Sequence, residues 1–79
     1  MLEKIEAYLK EIESFSTSSK EELEQFRIKF IGSKGLLKDL FDDFKAVPKE
    51  QKKEAGQKLN ALKNSATEKF QNLLNNLSN

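Results

Sequence analysis

Cysteine and histidine are both missing from this 79-residue chain, and so is tryptophan. Without cysteine there is no disulfide to staple a small fold and no thiolate to bind a metal. Without histidine the commonest general base and the commonest transition-metal ligand are gone together. No Ser–His, Cys–His or comparable nucleophile–base pair can be drawn, so a catalytic role is not supported. Proline occurs once and glycine three times. No apolar run approaches the ~18 residues of a membrane span, and the first residues alternate charge with apolar side chains, unlike a signal peptide. The expectation is a single soluble helical domain in the cytoplasm, with no membrane partner. Its core must be small, since a chain this short buries only about 60–65% of its unfolded surface.

What is present is charge, and its arrangement matters more than its sum of +1. Residues 1–24 hold seven Glu and three Lys. From Gln25 to Lys38 there are four basic residues, Arg27, Lys29, Lys34 and Lys38, and no acid. Asp39, Asp42 and Asp43 follow, and residues 49–63 hold five Lys and two Glu. Local fields rather than net charge attract phosphates, so the acid-free window is the candidate polyanion site.

Periodicity predicts four helices, over residues 2–15, 19–31, 36–46 and 49–77. In the first, Leu2, Ile5, Leu9 and Ile12 are spaced by three and four, with Tyr8 and Phe15 widening the face. A serine-rich break follows. Ser18 with Glu21, or Ser19 with Glu22, has capping-box spacing, and Ser18 is the expected cap because it places three glutamates in the first turns. Leu23, Phe26 and Phe30 form the second stripe. Gly32 stands where a left-handed helix end is expected, and Gly35 permits a second unusual angle. Leu37, Leu40, Phe41 and Phe44 make the third stripe, which Pro48 ends. The last stripe is Ala55, Leu59, Leu62, Ala66, Phe70, Leu73 and Leu77, with a mean spacing near the natural helix period, so little supercoil is expected.

The second and third helices laid end to end nearly match the last one in length. The predicted fold is all-α: an antiparallel helical hairpin, or coiled-coil arm, with one limb broken at Gly32–Gly35 and an N-terminal helix packed beside it. A third helix folded back into a compact four-helix bundle is equally compatible with the pattern. In the arm arrangement Lys49, Lys52 and Lys53 lie near the third-helix aspartates and some would pair with them. The three aspartates themselves read as an ordinary polar helix face, for no calcium-loop spacing surrounds them. The six phenylalanines fall on or near apolar stripes and read as core.

The run Leu23-Glu24-Gln25-Phe26-Arg27-Ile28-Lys29-Phe30-Ile31-Gly32-Ser33-Lys34-Gly35-Leu36 resembles the N-terminal domain of bacterial phenylalanine–tRNA ligase alpha subunits. That family shows a leucine-glutamate pair, then Arg-x-Lys, an aromatic, an aliphatic and Gly-Lys-Lys-Gly. Val47-Pro48, Ala55-Gly56 and Leu59-Asn60-Ala61-Leu62-Lys63 continue the likeness, which covers roughly residues 20–70. The resemblance implies an antiparallel arm that contacts tRNA, in an enzyme of two alpha and two beta subunits that uses ATP and magnesium. It implies partners, namely tRNA, the rest of the alpha subunit and the beta subunit, and a catalytic domain that is not in these residues. Arg27, Lys29, Gly32, Lys34, Gly35, Asn60 and Lys63 match the family pattern, whereas Ser33 stands where a lysine is usual. The expected tRNA-binding set is Arg27, Lys29, Gly32, Lys34, Gly35, Lys38 and Lys63, with no metal site and no cofactor of the arm's own. The alternative is a helical module for protein interaction or self-association through the long apolar stripe.

Overall fold

A computed structural model describes residues 2–78 and shows an elongated helical bundle, 46 × 20 × 16 Å along its principal axes. The helices are α1 (Leu2–Ser14), α2 (Lys20–Phe26), α3 (Leu36–Phe44) and α4 (Lys49–Ser78). Between α2 and α3 the chain makes a π-helical turn over Arg27–Ile31. At about 1.5 Å per residue, the 30-residue α4 by itself accounts for the long dimension. None of the described helices is long and apolar enough to cross a membrane.

The order of contacts fixes the topology. Glu6 pairs with Lys58 and the Glu13 carbonyl accepts from Lys69, so α1 runs parallel to α4. Lys20 and Leu23 lie beside Phe70, Leu74 and Leu77, whereas Phe44 lies against Gly56 and beneath the Lys52 ammonium. The limb α2–π turn–α3 is therefore antiparallel to α4 along its length. This decides between the two arrangements the sequence allows: α3 continues the arm rather than folding back. The chain is all-α, a hairpin with one broken limb and α1 as the third member.

The core is the intersection of the three stripes. Ile5 and Ile12 from α1, Phe26 and Phe30 from the broken limb, Leu37 and Leu40 from α3, and Leu59, Leu62 and Ala66 from α4 form one buried cluster. Ala55 and Leu73 extend it to both sides, and among the described residues no polar or charged one is buried. Aromatic rings fasten α1 to the limb. Phe15 stacks on Phe26 at 4.6 Å, Phe26 meets Phe30 at 5.1 Å, and Tyr8 meets Phe30 edge-on at 6.0 Å. Each such pair contributes about 0.5–1.5 kcal/mol beyond area burial. Phe41 departs from its stripe and remains 37% exposed.

Helix ends differ from the sequence expectation at three places. The N-cap of α2 is Ser19, not Ser18: its hydroxyl accepts from the Glu22 amide at 3.3 Å. The reason is Thr17, whose hydroxyl accepts from the Ser19 amide at 3.0 Å and donates to the Glu22 carboxylate at 2.6 Å. A threonine relay thus replaces the direct reach-back of a capping box. At its other end α3 stops at Phe44, because Lys45, Ala46 and Val47 donate to carbonyls three residues back, which tightens the turn before Pro48.

Neither Gly32 nor Gly35 has a positive φ; they sit at −57° and −80°. The left-handed helix end expected at Gly32 is not formed. The Gly32 amide instead reaches five residues back, to the Arg27 carbonyl at 2.7 Å, and closes the π turn. The glycines are needed for room. A Cβ on Gly32 would lie 3.0 Å from the Ile28 carbonyl oxygen, and one on Gly35 would lie 2.8 Å from the Phe30 carbonyl oxygen.

Candidate nucleic-acid interface

The break in the limb is built by the wide turn. Five residues per hydrogen-bonded loop, one more than in an α-helix, keep both Phe30 and Ile31 against the core while Ile28 turns outward, 49% exposed. The Gly35 amide then bonds the Gly32 carbonyl at 2.8 Å, and the Asp39 amide bonds the Gly35 carbonyl as α3 begins. Ser33 and Lys34 stand exposed in the turn.

Around this turn the structure gathers Arg27, Ile28, Gly32, Ser33 and Lys34 along one open groove of about 260 Å³. Three of the sequence-predicted residues, Arg27, Gly32 and Lys34, thus meet. The others do not. Lys29 lines a separate apolar hollow with Glu11, Phe15, Phe26 and Phe30. Lys38 is on the exposed surface of α3, 3.9 Å from Asp42, and Lys63 is exposed on α4. Gly35 is buried, and the space left by its missing Cβ is filled by backbone.

The segment without acids in sequence is not without acids in space. Arg27 gives both Nε and Nη2 to the Glu24 carboxylate. The hydrogen bond from Arg27 holds the Glu24 carboxyl below its ordinary value, and the same bond raises the guanidinium further. Lys29 bonds Glu11 of α1 at 2.8 Å, with its ammonium 5.3 Å from the Phe30 ring centre. Lys34 and Lys63 form no ion pair with another described residue. The apolar and charge patterns do not single out Glu11 or Glu24 as partners. The i, i+3 spacing of Glu24 and Arg27 could have revealed one of them, whereas the Glu11 contact depends on how α1 docks.

The second basic segment surrounds the hairpin turn. Lys49, Lys52 and Lys53 do not pair with the α3 aspartates among the described contacts. The described partners of Asp42 are Lys38 and Lys45, and Lys52 sits over the Phe44 ring at 5.8 Å. Lys58 of α4 does form an ion pair across helices, with Glu6 at 3.0 Å. Among the described residues no group of three or more carboxylates could hold a metal ion.

The family model described as "Aminoacyl tRNA synthetase class II, N-terminal domain" matches residues 18–79. Relatives include the phenylalanine–tRNA ligase alpha subunit of Flavobacterium psychrophilum, 54% identical over 98% of this chain and 23% of that protein. The alpha subunit of Phocaeicola vulgatus is 52% identical over 92% of the chain and 21% of that protein. That of Bacteroides fragilis strain YCH46 is 44% identical over the whole chain and 23% of that protein. The chain thus spans less than a quarter of the length of these relatives. No solved structure matches.

Proposed function

The chain belongs to the class II aminoacyl-tRNA synthetase N-terminal domain family, and on that footing we propose that it is the tRNA-binding arm of a phenylalanine–tRNA ligase alpha subunit. The observation that carries this reading is the break in the limb: Arg27, Gly32 and Lys34 share one groove on a stiff rod spanned end to end by a single helix. Backbone phosphates are met by Arg and Lys side chains, and such contacts set position more than base identity. The whole of residues 1–79 then acts as one binding domain and supplies no catalytic group. Joining phenylalanine to its tRNA with ATP and magnesium falls to the remainder of the alpha subunit and the beta subunit, in the cytoplasm.

Self-association through the last-helix stripe is less well supported. Ala55, Leu59, Leu62, Ala66 and Leu73 are already buried inside the bundle.

The test is binding of this chain to tRNA for phenylalanine across a salt series, beside a non-cognate tRNA. The Arg27→Glu/Lys34→Glu double variant reverses both cations of the groove. Wild-type binding that weakens with salt and disappears in this variant supports the reading. Binding that survives it but disappears in Lys49→Glu/Lys52→Glu/Lys53→Glu moves the contact to the hairpin turn. Failure to bind at low salt, with concentration-dependent self-association, overturns it in favour of a protein-interaction module.

A further inference from the structure

Ile28 is the anomaly of the groove. It is a large branched apolar residue, half exposed, in the middle of the cationic segment. Phosphate contacts have no use for it. Its neighbours suggest what does. Arg27 commits Nε and Nη2 to Glu24, so the edge of the guanidinium is occupied and its plane is held. A guanidinium fixed in this way offers its flat faces, and such faces stack on nucleobases. Lys34 and Ser33 lie along the same groove, supplying an ammonium and a hydroxyl, and Gly32 lines it as well.

The open groove, about 260 Å³, is slightly smaller than the roughly 300–1,000 Å³ usual for small-ligand sites. That suits one nucleotide unit rather than a folded partner. We propose that the Arg27–Ile28–Lys34 groove takes an unpaired nucleotide of an RNA, its base against the guanidinium face and Ile28 and its phosphate against Lys34. This rests on the RNA-binding reading above and deepens it. A duplex keeps its bases stacked inside, so only a splayed-out base can reach these groups. Ser33, exposed in the same turn, then gives a hydroxyl able to meet a ribose or base edge.

The experiment compares the wild-type chain, Ile28→Ser and Ile28→Leu on two probes: a tRNA transcript, which has unpaired loop nucleotides, and a fully paired RNA duplex of similar charge. Burying a few methyl and methylene groups predicts about a three- to tenfold loss of tRNA affinity in Ile28→Ser. The salt slope stays unchanged, duplex binding is unaffected and Ile28→Leu retains most of the affinity. In the wild-type chain the Ile28 δ1-methyl resonance should move upfield on adding tRNA, through the ring current of the base, and stay in place with the duplex. That signal is independent of any effect of the variant on folding. Wild-type binding to tRNA with an unmoved methyl resonance, or an equal loss on duplex, overturns this proposal alone. Absence of wild-type tRNA binding overturns the reading beneath it as well.

Discussion

The limb opposite α4 is broken once and then joined to α4 by the hairpin turn, and the two turns are made by different physics. At Ala46–Pro48 the turn is local. Three successive amides bond carbonyls three residues back, and Pro48 brings no N–H and restricts Val47 before α4 starts. At Arg27–Gly35 the turn is tertiary. A π turn widens the helix, Gly32 and Gly35 let backbone close on backbone, and Phe30 at its centre is 1% exposed beneath rings from α1 and α2. The first turn would form in many contexts, whereas the second exists because the surrounding core holds it. The cations follow this contrast only at Lys29, which Glu11 of α1 holds across helices; Arg27 and Lys45 each pair with an acid three residues back, Glu24 and Asp42.

The largest effect expected from this contrast is at Gly35. An alanine there puts Cβ 2.8 Å from the Phe30 carbonyl oxygen and 2.9 Å from its carbon. Both are backbone atoms of a buried residue and cannot swing aside. Gly35→Ala should cost about 2–3 kcal/mol, as overpacking does, or roughly 10–20 °C in melting temperature for a domain of this size. Thermal unfolding followed by circular dichroism measures it. An unchanged melting temperature would mean that the break is not packed as described.

The same substitution at Gly56 should act in the opposite direction. Gly56 lies inside α4, and an added Cβ would meet only the Phe44 ring, at 3.4 Å and beyond. That is ordinary contact with a side chain. Gly56→Ala should therefore gain about 0.5–1 kcal/mol from helix propensity alone. Denaturant melts of the two alanine variants side by side test the contrast; a loss at Gly56 comparable to that at Gly35 would break it.

The contrast also explains what could be read without a structure. The four apolar stripes, the Pro48 turn and the length match between limb and α4 rest on local pattern, and they led to the all-α arm. Ile5, Ile12, Leu59, Leu62 and Ala66 are buried as their spacing requires. The π turn was not legible, because Leu23, Phe26 and Phe30 are spaced as an α-helix would space them. One extra residue in the hydrogen-bond loop appears only once Phe30 and Ile31 both have a core to meet. For the same reason the glycines invited a left-handed reading, the usual purpose of glycine at a helix end, when what they supply is clearance. Glu11 beside Lys29 was illegible in another sense: eighteen residues separate them, and only the docking of α1 brings them together. Ile28 could have been noticed, since it falls off the Leu23–Phe26–Phe30 stripe and so had no core position to fill.

The smallest effect expected is on pH, and it separates the pair inside the broken limb from the pair that joins α1 to α4. Hydrogen bonds from Arg27 and Lys58 hold the Glu24 and Glu6 carboxyls below their ordinary value of 4.5. A carboxyl lowered in the folded state adds stability that is complete above the unfolded value and is lost as pH falls through the folded one. Acidification below about 4.5 should therefore weaken the fold through both groups. Lys58, raised by its bond to Glu6, works the other way: its contribution is complete below its ordinary 10.5 and fades as pH climbs past the raised value. Both pairs are at the surface, where solvent screens them, so each contribution is small. Glu24→Gln should flatten the acid limb of a stability–pH curve by acting within one turn. Glu6→Gln should flatten the acid limb and the alkaline limb together, because it removes the partner of Lys58. Urea midpoints from about pH 3 to 11 distinguish them. If Glu24→Gln also altered the alkaline limb, the broken limb and the α1–α4 seam would be electrostatically coupled, and the break could no longer be treated as a site of its own.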